Sequence, residues 1–381
     1  MKWEKVRLED CCYSISDGDH QPPPKAQQGI PFVTISNINS MNQLDFSDTM
    51  FVPKEYYQSL DEKRKVRKGD VLYSVVGSFG IPVLIKEERP FVFQRHIAIL
   101  RPKEDIVDSG FLFYTMLNRD FYAKADAVAI GAAQRTVSLG SLRNIKIDVP
   151  SLESQKHIAD ILSAYDDLIE NNQKQIKLLE EAAQRLYKEW FVDLRFPGHE
   201  NTKIVDGVPE GWEKFPLEEI APVVTGKKDA NYGDKGGNYP FFTCSQETIT
   251  APGYSFDTSA VILAGNGDFN VKLYRGKFEA YQRTYVLAPF DHSNLFNLYF
   301  TVQDNMEALA KGASGSTIKF LTKGMLQKIL VLTADKKILD KFNDYEENIQ
   351  QKVEALKKQV EDLTEIRNRL LPKLMSGEVE V

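Results

Sequence analysis

The amino-acid sequence has 381 residues, of which 42% are hydrophobic and 27% are charged, and it carries a net charge of −6 at pH 7. This length exceeds a single ordinary hydrophobic core, and the composition is that of globular proteins, which disfavours the disordered and membrane classes. No apolar signal region follows Met1, and no run of about 18 apolar residues occurs, so we expect neither secretion nor a membrane span. The negative charge disfavours nucleic-acid binding unless the contacts come from local patches.

Residues 1–150 predict a globular domain built mainly of strands and turns. Short β-branched and aromatic runs bounded by Gly, Pro, Asp and Asn predict strands. They lie at residues 29–35, 71–76, 82–85, 91–100 and 145–149. Residues 109–119 predict a helix with apolar residues on one side. The domain is therefore expected to be α+β with a curved, mostly antiparallel sheet.

Residues 151–196 predict one long helix with a heptad stripe. Apolar residues recur at alternating steps of four and three positions, which is the pattern of a coiled-coil seam. Pro150 and Ser151 predict the start of the helix, and Pro197 with Gly198 predicts its end. The stripe consists of Ile158, Leu162, Tyr165, Ile169, Asn172, Ile176, Leu179, Ala183, Leu186 and Trp190. Such a narrow stripe needs a second helix to cover it.

A second long helix is predicted at residues 335–375, and a Gly-, Pro- and Asn-rich linker at residues 197–211 separates the first helix from the second globular region. The step from Ile349 to Val353 breaks the alternation, which predicts local unwinding of the supercoil. The second stripe consists of Ile338, Phe342, Tyr345, Ile349, Val353, Leu356, Val360, Leu363, Arg367, Leu370 and Leu374. The helices either pair within one chain or form the dimerisation arm of two chains. Pairing is favoured because the regions before both helices resemble each other.

Asn172 is a polar residue within the first stripe. A buried amide in a coiled-coil seam lowers stability but fixes the register when its partner is polar. Counting from matched helix starts predicts that Asn172 lies close to Lys352 in an antiparallel pair.

The two globular regions are copies of one domain. The run WEKVRLE at residues 3–9 recurs as WEKFPLE at residues 212–218, and PFVTIS at residues 31–36 recurs as PFFTCS at residues 240–245. Further predicted equivalences join residues 71–73 to 261–263, 93–96 to 281–284, and 136–137 to 317–318. Gln94 and Gln282 are thereby expected to be equivalent strand residues with structural hydrogen bonds.

The predicted fold is α+β, with two duplicated mixed α/β domains separated by two long antiparallel coiled-coil helices. Its segments are residues 1–150 (domain 1), 151–196 (central long helix), 197–211 (linker), 212–334 (domain 2), 335–375 (distal long helix) and 376–381 (C-terminal tail). Two copies of one domain, held apart by a rod, are the architecture of a two-point reader.

Motifs that carry enzyme chemistry are not found. The sequence contains neither the Gly-x-x-x-x-Gly-Lys phosphate loop nor the His-Glu-x-x-His zinc helix. It also lacks the Asp- or Asn-Pro-Pro-Tyr run with which amino-methyltransferases grip a flipped base. The five histidines are scattered singly, and Cys11, Cys12 and Cys244 lack metal-ligand spacing. We therefore predict no catalytic residue, no metal site, and free thiols in a reducing cytoplasm.

Several segments resemble the specificity subunits of type I restriction-modification systems. The run VPSLESQKHIADIL at residues 149–162 is similar to the family's Pro-Leu-x-Glu-Gln-x-x-Ile-Ala-x-Ile-Leu motif, as WFVDLRF at residues 190–196 and VPEGW at residues 208–212 are to other family segments. The loops at residues 131–136 and 312–317 resemble the family's Gly-Ser-Thr-Gln loop more loosely. The resemblance covers essentially the whole chain. The second copy departs from it, because the segment before its helix lacks the Pro and the Glu-Gln of the first.

The resemblance implies a non-catalytic subunit whose two target-recognition domains each read one half of a bipartite double-stranded DNA target. It also implies that the long helices dock two methyltransferase subunits, which bind S-adenosylmethionine, and that restriction and translocase subunits can join. No cofactor is expected on this chain itself. Two other hypotheses stay open: a stand-alone sequence-specific DNA-binding protein that dimerises through its helices, and an enzyme with fused recognition domains.

Polar loop residues are the candidates for DNA contacts, because amides, hydroxyls and guanidinium groups read base edges. In domain 1 they are Lys25, Gln27, Gln28, Asn37, Arg95, Gln134, Arg135 and Thr136. In domain 2 they are Lys227, Lys228, Ser245, Asn266, Lys272, Arg283, Ser316 and Thr317. The alternative interpretation of each is a solvated loop residue.

Overall fold

The computed structural model describes residues 3–18, 20, 22–132, 134–313 and 319–381. The chain forms two compact units, residues 1–173 with 358–381, and residues 174–357. Each unit combines one globular domain with part of each long helix. The boundary between the units therefore crosses both long helices. No helix in the described part of the chain combines the length and apolarity needed to cross a membrane.

Domain 1 is an α+β domain whose core is formed by both sheet strands and helices, above all the helix Ser109–Leu117. Its elements are β1 (Glu4–Arg7), α1 (Leu8–Cys11), β2 (Cys12–Asp17), β3 (Ile30–Val33), β4 (Met50–Val52), α2 (Lys54–Ser59), β5 (Val71–Ser74), β6 (Pro82–Leu84), β7 (Val92–Phe93), β8 (Ile97–Pro102), α3 (Ser109–Leu117), α4 (Arg119–Val128), α5 (Leu139–Asn144) and β9 (Lys146–Val149). The sheet orders are β2-β8-β5-β6 and β4-β3-β7, and β1 pairs with β9. The β3–β7 pair is parallel, whereas the other pairs are antiparallel.

The predicted strand at residues 91–100 is wrong as one element. The Ile97 amide donates to the Gln94 carbonyl at 3.1 Å, and this turn divides the segment into β7 and β8. An apolar run does not reveal such a turn, because both sides of it are buried strands. Strand β2 and the amphipathic helix α4, whose Phe121 and Ala125 face the core, were not predicted.

The first long helix, α6 (Leu152–Tyr187), continues as a π-helical turn at Lys188–Val192. It ends before the predicted Phe196, because Leu194 has a positive φ of 58°. Gln155, which belongs to the motif that opens the helix, is fully buried. Its side-chain amide donates to the Ile106 carbonyl at 3.0 Å and to the Pro150 carbonyl at 2.9 Å, so it anchors the helix start to domain 1.

Domain 2 repeats this fold after a short hairpin in the linker. The elements are β10 (Ile204–Val205), β11 (Val208–Pro209), β12 (Glu213–Pro216), α7 (Leu217–Ile220), β13 (Val223–Thr225), β14 (Tyr239–Phe242), β15 (Ile249–Ala251), β16 (Phe256–Ala264), β17 (Val271–Ala280), β18 (Thr284–Leu287), α8 (Leu295–Asp304), α9 (Met306–Gly312), α10 (Lys323–Gln327), β19 (Leu330–Thr333) and the second long helix, α11 (Lys336–Ser376). The sheet order is β13-β18-β16-β17-β14-β15, and β12 pairs with β19.

The duplication extends to individual hydrogen bonds. The Leu8 amide donates to the Ile145 carbonyl at 3.0 Å, and the Leu217 amide donates to the Ile329 carbonyl at 2.8 Å. The copies differ where β17 runs without interruption through the segment that forms β6 and β7 in domain 1. This continuity joins in domain 2 the strands that form two sheets in domain 1.

The long helices pack antiparallel to each other within each unit. In the unit that contains domain 1, Arg367 of α11 pairs with Asp166 of α6 at 2.6 Å, and Gln359 accepts a hydrogen bond from Asn172 at 3.2 Å. In the unit that contains domain 2, Lys357 pairs with Glu180 at 3.0 Å. Trp190 also stacks there at a tilt against Phe342, with ring centroids 5.7 Å apart. Sequence numbers rise on one helix as they fall on the other, and the predicted pairing within one chain is observed.

Most of the predicted seam is buried or half-buried, and Tyr345 is the exposed exception, although its ring still meets Trp190 of the π-helical turn edge-on with centroids 6.0 Å apart. Tyr345 is 56% exposed, whereas the neighbouring Glu346 is fully buried. The stripe on α11 thus steps by four from Phe342 to Glu346, because packing against α8 and α6 selects the helix face. The predicted partner of Asn172 is wrong, since Gln359 takes the place of Lys352 one heptad away. Counting from helix starts fails because tertiary contacts at the ends, such as those of Gln155, set the register.

Candidate nucleic-acid interface

A tight turn lies at corresponding places in the two domains. In domain 1 it comprises residues 94–96 before β8, and in domain 2 residues 281–283 before β18. The Val75 amide donates to the His96 carbonyl at 2.8 Å, and the Gly265 amide donates to the Arg283 carbonyl at 2.9 Å. Because Val75 and Gly265 follow equivalent strands, these bonds make His96 and Arg283 equivalent positions.

This equivalence corrects the sequence alignment by one residue. The Gln94 amide donates to the Val33 carbonyl, and the Tyr281 amide donates to the Phe242 carbonyl, so Gln94 corresponds to Tyr281 and Arg95 to Gln282. The predicted equivalence of Gln94 and Gln282 is therefore wrong, and Gln282 lies in the turn instead of a strand. The sequence alignment matched the Gln-Arg pair that occurs in both copies, whereas the backbone hydrogen bonds show that the true correspondence is shifted by one residue.

In domain 2 the described candidates gather around this turn. The Gln282 amide donates to the Lys228 carbonyl at 2.9 Å, which brings the segment after β13 against the turn. Asn266 directly follows Gly265, whose amide binds the turn from the other side. Lys272 donates from Nζ to the Ser245 carbonyl at 2.6 Å. The gathered residues are Lys227, Lys228, Ser245, Asn266, Lys272 and Arg283, while Ser316 and Thr317 lie outside the described residues.

The cationic groups around the domain 2 turn have different environments. Lys272 is half-buried, and burial lowers the pKa of its ammonium group. The Lys228 ammonium lies 4.4 Å from the centroid of the Tyr232 ring, a cation–π contact. The Gln282 side-chain amide donates to the Asp229 carboxylate at 2.7 Å. Arg283 is exposed to solvent. Lys272 and Gln282 therefore already donate to protein acceptors, whereas the Arg283 guanidinium faces solvent.

In domain 1 a second loop meets the equivalent region. The Gly77 amide donates to the Arg135 carbonyl at 2.9 Å, and Thr136 forms a backbone bridge with Val76. Arg95, Gln134, Arg135 and Thr136 thus belong to one end of the domain, although the Arg135 guanidinium is paired with Asp126 at 2.7 Å. The Arg135 guanidinium, which the sequence predicted as a DNA contact, therefore already has a protein partner.

In domain 2 Phe320 bridges to Asn266 as Thr136 bridges to Val76, whereas the predicted counterpart Thr317 lies outside the described residues. The Val137 amide donates to the Val75 carbonyl at 2.9 Å, and the Leu321 amide donates to the Gly265 carbonyl at 2.8 Å. Val137 therefore corresponds to Leu321. Domain 2 has more residues between Gly312 and Leu321 than domain 1 has between Gly131 and Val137, so an alignment on the shared threonine does not give this register.

The remaining domain 1 candidates lie apart from the turn or have structural roles. Lys25, Gln27 and Gln28 are exposed on a segment whose Ala26 pairs with Phe51 of β4. Asn37 is half-buried, and its Oδ1 accepts a hydrogen bond from the Thr34 amide at 2.9 Å. Its Nδ2 donates to the Asp48 carbonyl at 3.1 Å. Asn37 therefore holds its own turn together.

The chain matches the family model described as the type I restriction modification DNA specificity domain, over residues 1–181 and 209–362. The chain belongs to this family.

Relatives with known names agree with the family. The EcoDI specificity subunit of Escherichia coli is 37% identical over 176 residues, which span 45% of this chain and 39% of that subunit. The MjaIX specificity subunit of Methanocaldococcus jannaschii is 27% identical over 82% of this chain and 78% of its own length. The solved S subunit from M. genitalium shares the fold, with a TM-score of 0.66, 16% identity, and coverage of 98% of this chain and 96% of that one.

The family comparison and the fold confirm the resemblance read from the sequence. Among the described residues no group of three metal-binding side chains occurs. Burial raises the pKa of Cys11 to about 11 and that of Cys12 to about 12, so both thiols are neutral and poorly nucleophilic at neutral pH.

Two glycines of this specificity-family chain position the turns and were not predicted from the sequence. A Cβ at Gly18 would overlap the carbonyl oxygen of Phe93, and a Cβ at Gly226 would overlap that of Ala280. Both glycines let the chain leave its strand in close contact with the turn. Aligning the two copies from Leu8 and Leu217 onward places Gly18 opposite Lys227, one residue beyond Gly226, because the β2–β8 register shifts between Cys12 and Ser14.

Proposed function

We propose that this chain is the recognition subunit of a type I restriction-modification complex and reads a bipartite double-stranded DNA target. The observation that carries the proposal is the repeated turn, which each domain holds by the same backbone bonds beside exposed donors. Two copies of one polar edge within a chain fit two half-sites. Each domain builds its edge from its own residues, so each half is read independently.

We further propose that two methyltransferase subunits dock on the long helices, and that restriction and translocase subunits join them. Support comes from apolar residues outside the intramolecular seam: Leu168 and Ile366 are exposed in one unit, and Leu178 in the other. Exposed apolar residues on paired helices suit a partner protein. S-adenosylmethionine then binds to the methyltransferase, and this chain supplies recognition without catalysis. The complex would act on cytoplasmic DNA.

The alternative is a stand-alone DNA-binding protein that dimerises through its helices. The helix seam is covered within each unit of the chain, as the Arg367–Asp166 and Lys357–Glu180 pairs show. This pairing favours the first proposal, because dimerisation would have to use another surface.

The deciding experiment is co-expression of the full chain with the methyltransferase encoded beside it. Affinity capture should yield a complex, and methylome sequencing of the host should show one bipartite motif that disappears without this chain. Capture of a dimer of this chain alone, with no new methylation, would favour the stand-alone protein. Methylation by the isolated chain would instead indicate an enzyme with fused recognition domains.

A further inference from the structure

The turns at residues 94–96 and 281–283 are held by backbone hydrogen bonds on both sides. In domain 1 the Ile97 amide binds the Gln94 carbonyl, and the Gly18 amide binds the Ile97 carbonyl at 3.3 Å. In domain 2 the Thr284 amide donates to the Tyr281 carbonyl at 2.8 Å, and the Gly226 amide donates to the Thr284 carbonyl at 3.1 Å. A backbone held from both sides presents its outward side chains in defined directions.

One guanidinium on each turn is exposed and unpaired. Arg95 and Arg283 are exposed, and within the described ranges neither guanidinium has a hydrogen bond or an ion pair. Neighbouring arginines are engaged: Arg101 pairs with Asp70 at 2.9 Å, and Arg275 pairs with Glu347 at 2.6 Å. An arginine that is held at a hydrogen-bonded turn and has no protein partner is available to a ligand.

The other side chain of each turn has a partner or is partly withdrawn. Gln282, which corresponds to Arg95, donates to Asp229. His96, which corresponds to Arg283, is half-buried, and burial and the nearby Arg95 lower the pKa of its imidazole. Each turn therefore presents one outward guanidinium, at adjacent and not identical positions.

We propose that Arg95 and Arg283 determine specificity, each by reading a guanine in the half-site of its own domain. This inference rests on the proposed function. Guanidinium donates two parallel hydrogen bonds, which match the O6 and N7 acceptors of guanine in the major groove. An arginine bound to phosphate would position the protein without reading sequence.

The test uses the full chain co-expressed with its methyltransferase subunits and methylome sequencing. The wild-type motif should contain a guanine in each half. Arg95→Ala should lower the discrimination for one guanine by about 10- to 100-fold and leave the other half unchanged. Arg283→Ala should do the converse. Arg95→Lys keeps the positive charge but loses the two parallel guanidinium hydrogen bonds, so it should also reduce discrimination at the same base.

Arg119→Ala is the matched control in domain 1, because Arg119 is an exposed arginine at the start of α4, where it shares a surface cleft with Trp3 and Asp148 and not with the turn. It should leave the motif unchanged. A bipartite motif that lacks guanine in either half would overturn the inference and keep the proposed function. So would a uniform loss of methylation with an unchanged motif in Arg95→Ala. A wild-type complex that methylates no bipartite motif would refute the proposed function itself. If Arg95→Ala lowers the melting temperature, the methylated motif of the Arg95→Lys variant is the deciding result.

Discussion

Arg367 on the second long helix and Asp166 on the first form an ion pair of 2.6 Å in which both side chains are mostly buried. Asp166 also accepts a hydrogen bond of 2.7 Å from the Tyr114 hydroxyl of domain 1. One carboxylate therefore ties α11, α6 and the domain together, and its partner Arg367 occupies a position that the heptad pattern assigns to the seam.

We expect Arg367→Met to lower the free energy of unfolding by about 1–2 kcal/mol, because it leaves Asp166 partly buried without its cation. Arg369→Met is the control, since the Arg369–Glu365 pair is solvent-exposed and should contribute less than about 0.5 kcal/mol. Urea unfolding followed by circular dichroism measures both. Equal effects from the two substitutions would show that the Asp166 network does not stabilise the unit.

We expect Asn172→Leu to preserve the fold and to leave the melting temperature unchanged or higher. Asn172 is buried in the seam, whereas its partner Gln359 is exposed and can bind water when the amide is lost. A leucine adds apolar contact and leaves no buried polar group without a hydrogen-bond partner. Ile169→Asn, at a buried seam position of the same helix, should lower the melting temperature clearly. A large loss of stability in Asn172→Leu would refute this account of the seam.

The buried carboxyl of Glu346 makes stability depend on pH. Neither carboxyl oxygen has a hydrogen-bond partner among the described residues, and burial raises the pKa of Glu346 from 4.5 to about 8. Between these values the folded state keeps a proton that the unfolded state releases, so stability falls as pH rises through this window and is level above it.

We therefore expect Glu346→Gln to stabilise the protein more at pH 8 than at pH 5. Glu346→Met gives the same test without a buried amide. Glu347→Gln is the matched control, because Glu347 is partly exposed and pairs with Arg275 at 2.6 Å. Melting temperatures at the two pH values measure the effect. A gain of the same size at both values would mean that titration of Glu346 is not its cause.

Exchange of residues 1–150 for the equivalent domain of a relative should change one half of the methylated motif only. Each domain closes its own sheets. Strand β9, paired with β1, leads into α6, and strand β19, paired with β12, leads into α11. The motif of the exchanged complex, read by methylome sequencing, is the measurement. A change in both halves would contradict independent reading.

The sequence alone predicted the duplication, the long helices and most of the seam, because these depend on periodicity within short segments. The alternation of apolar residues from Ile158 to Trp190 identifies one helix face, and the repeated WEKVRLE and WEKFPLE runs identify the paired edge strands. The candidate residues around Arg283 also came from the sequence, since polar side chains follow the ends of apolar runs.

Long-range backbone pairing decided the rest. The equivalence of His96 with Arg283 follows from hydrogen bonds to Val75 and Gly265, and a shared Gln-Arg pair in the sequence pointed one residue away. The burial of Glu346 in place of Tyr345 depends on which face of α11 meets its neighbours in space. Periodicity is a property of adjacent residues, and so the sequence by itself determined the elements and their repetition. Register between distant segments depends on contacts across the fold, and only the tertiary structure decided it.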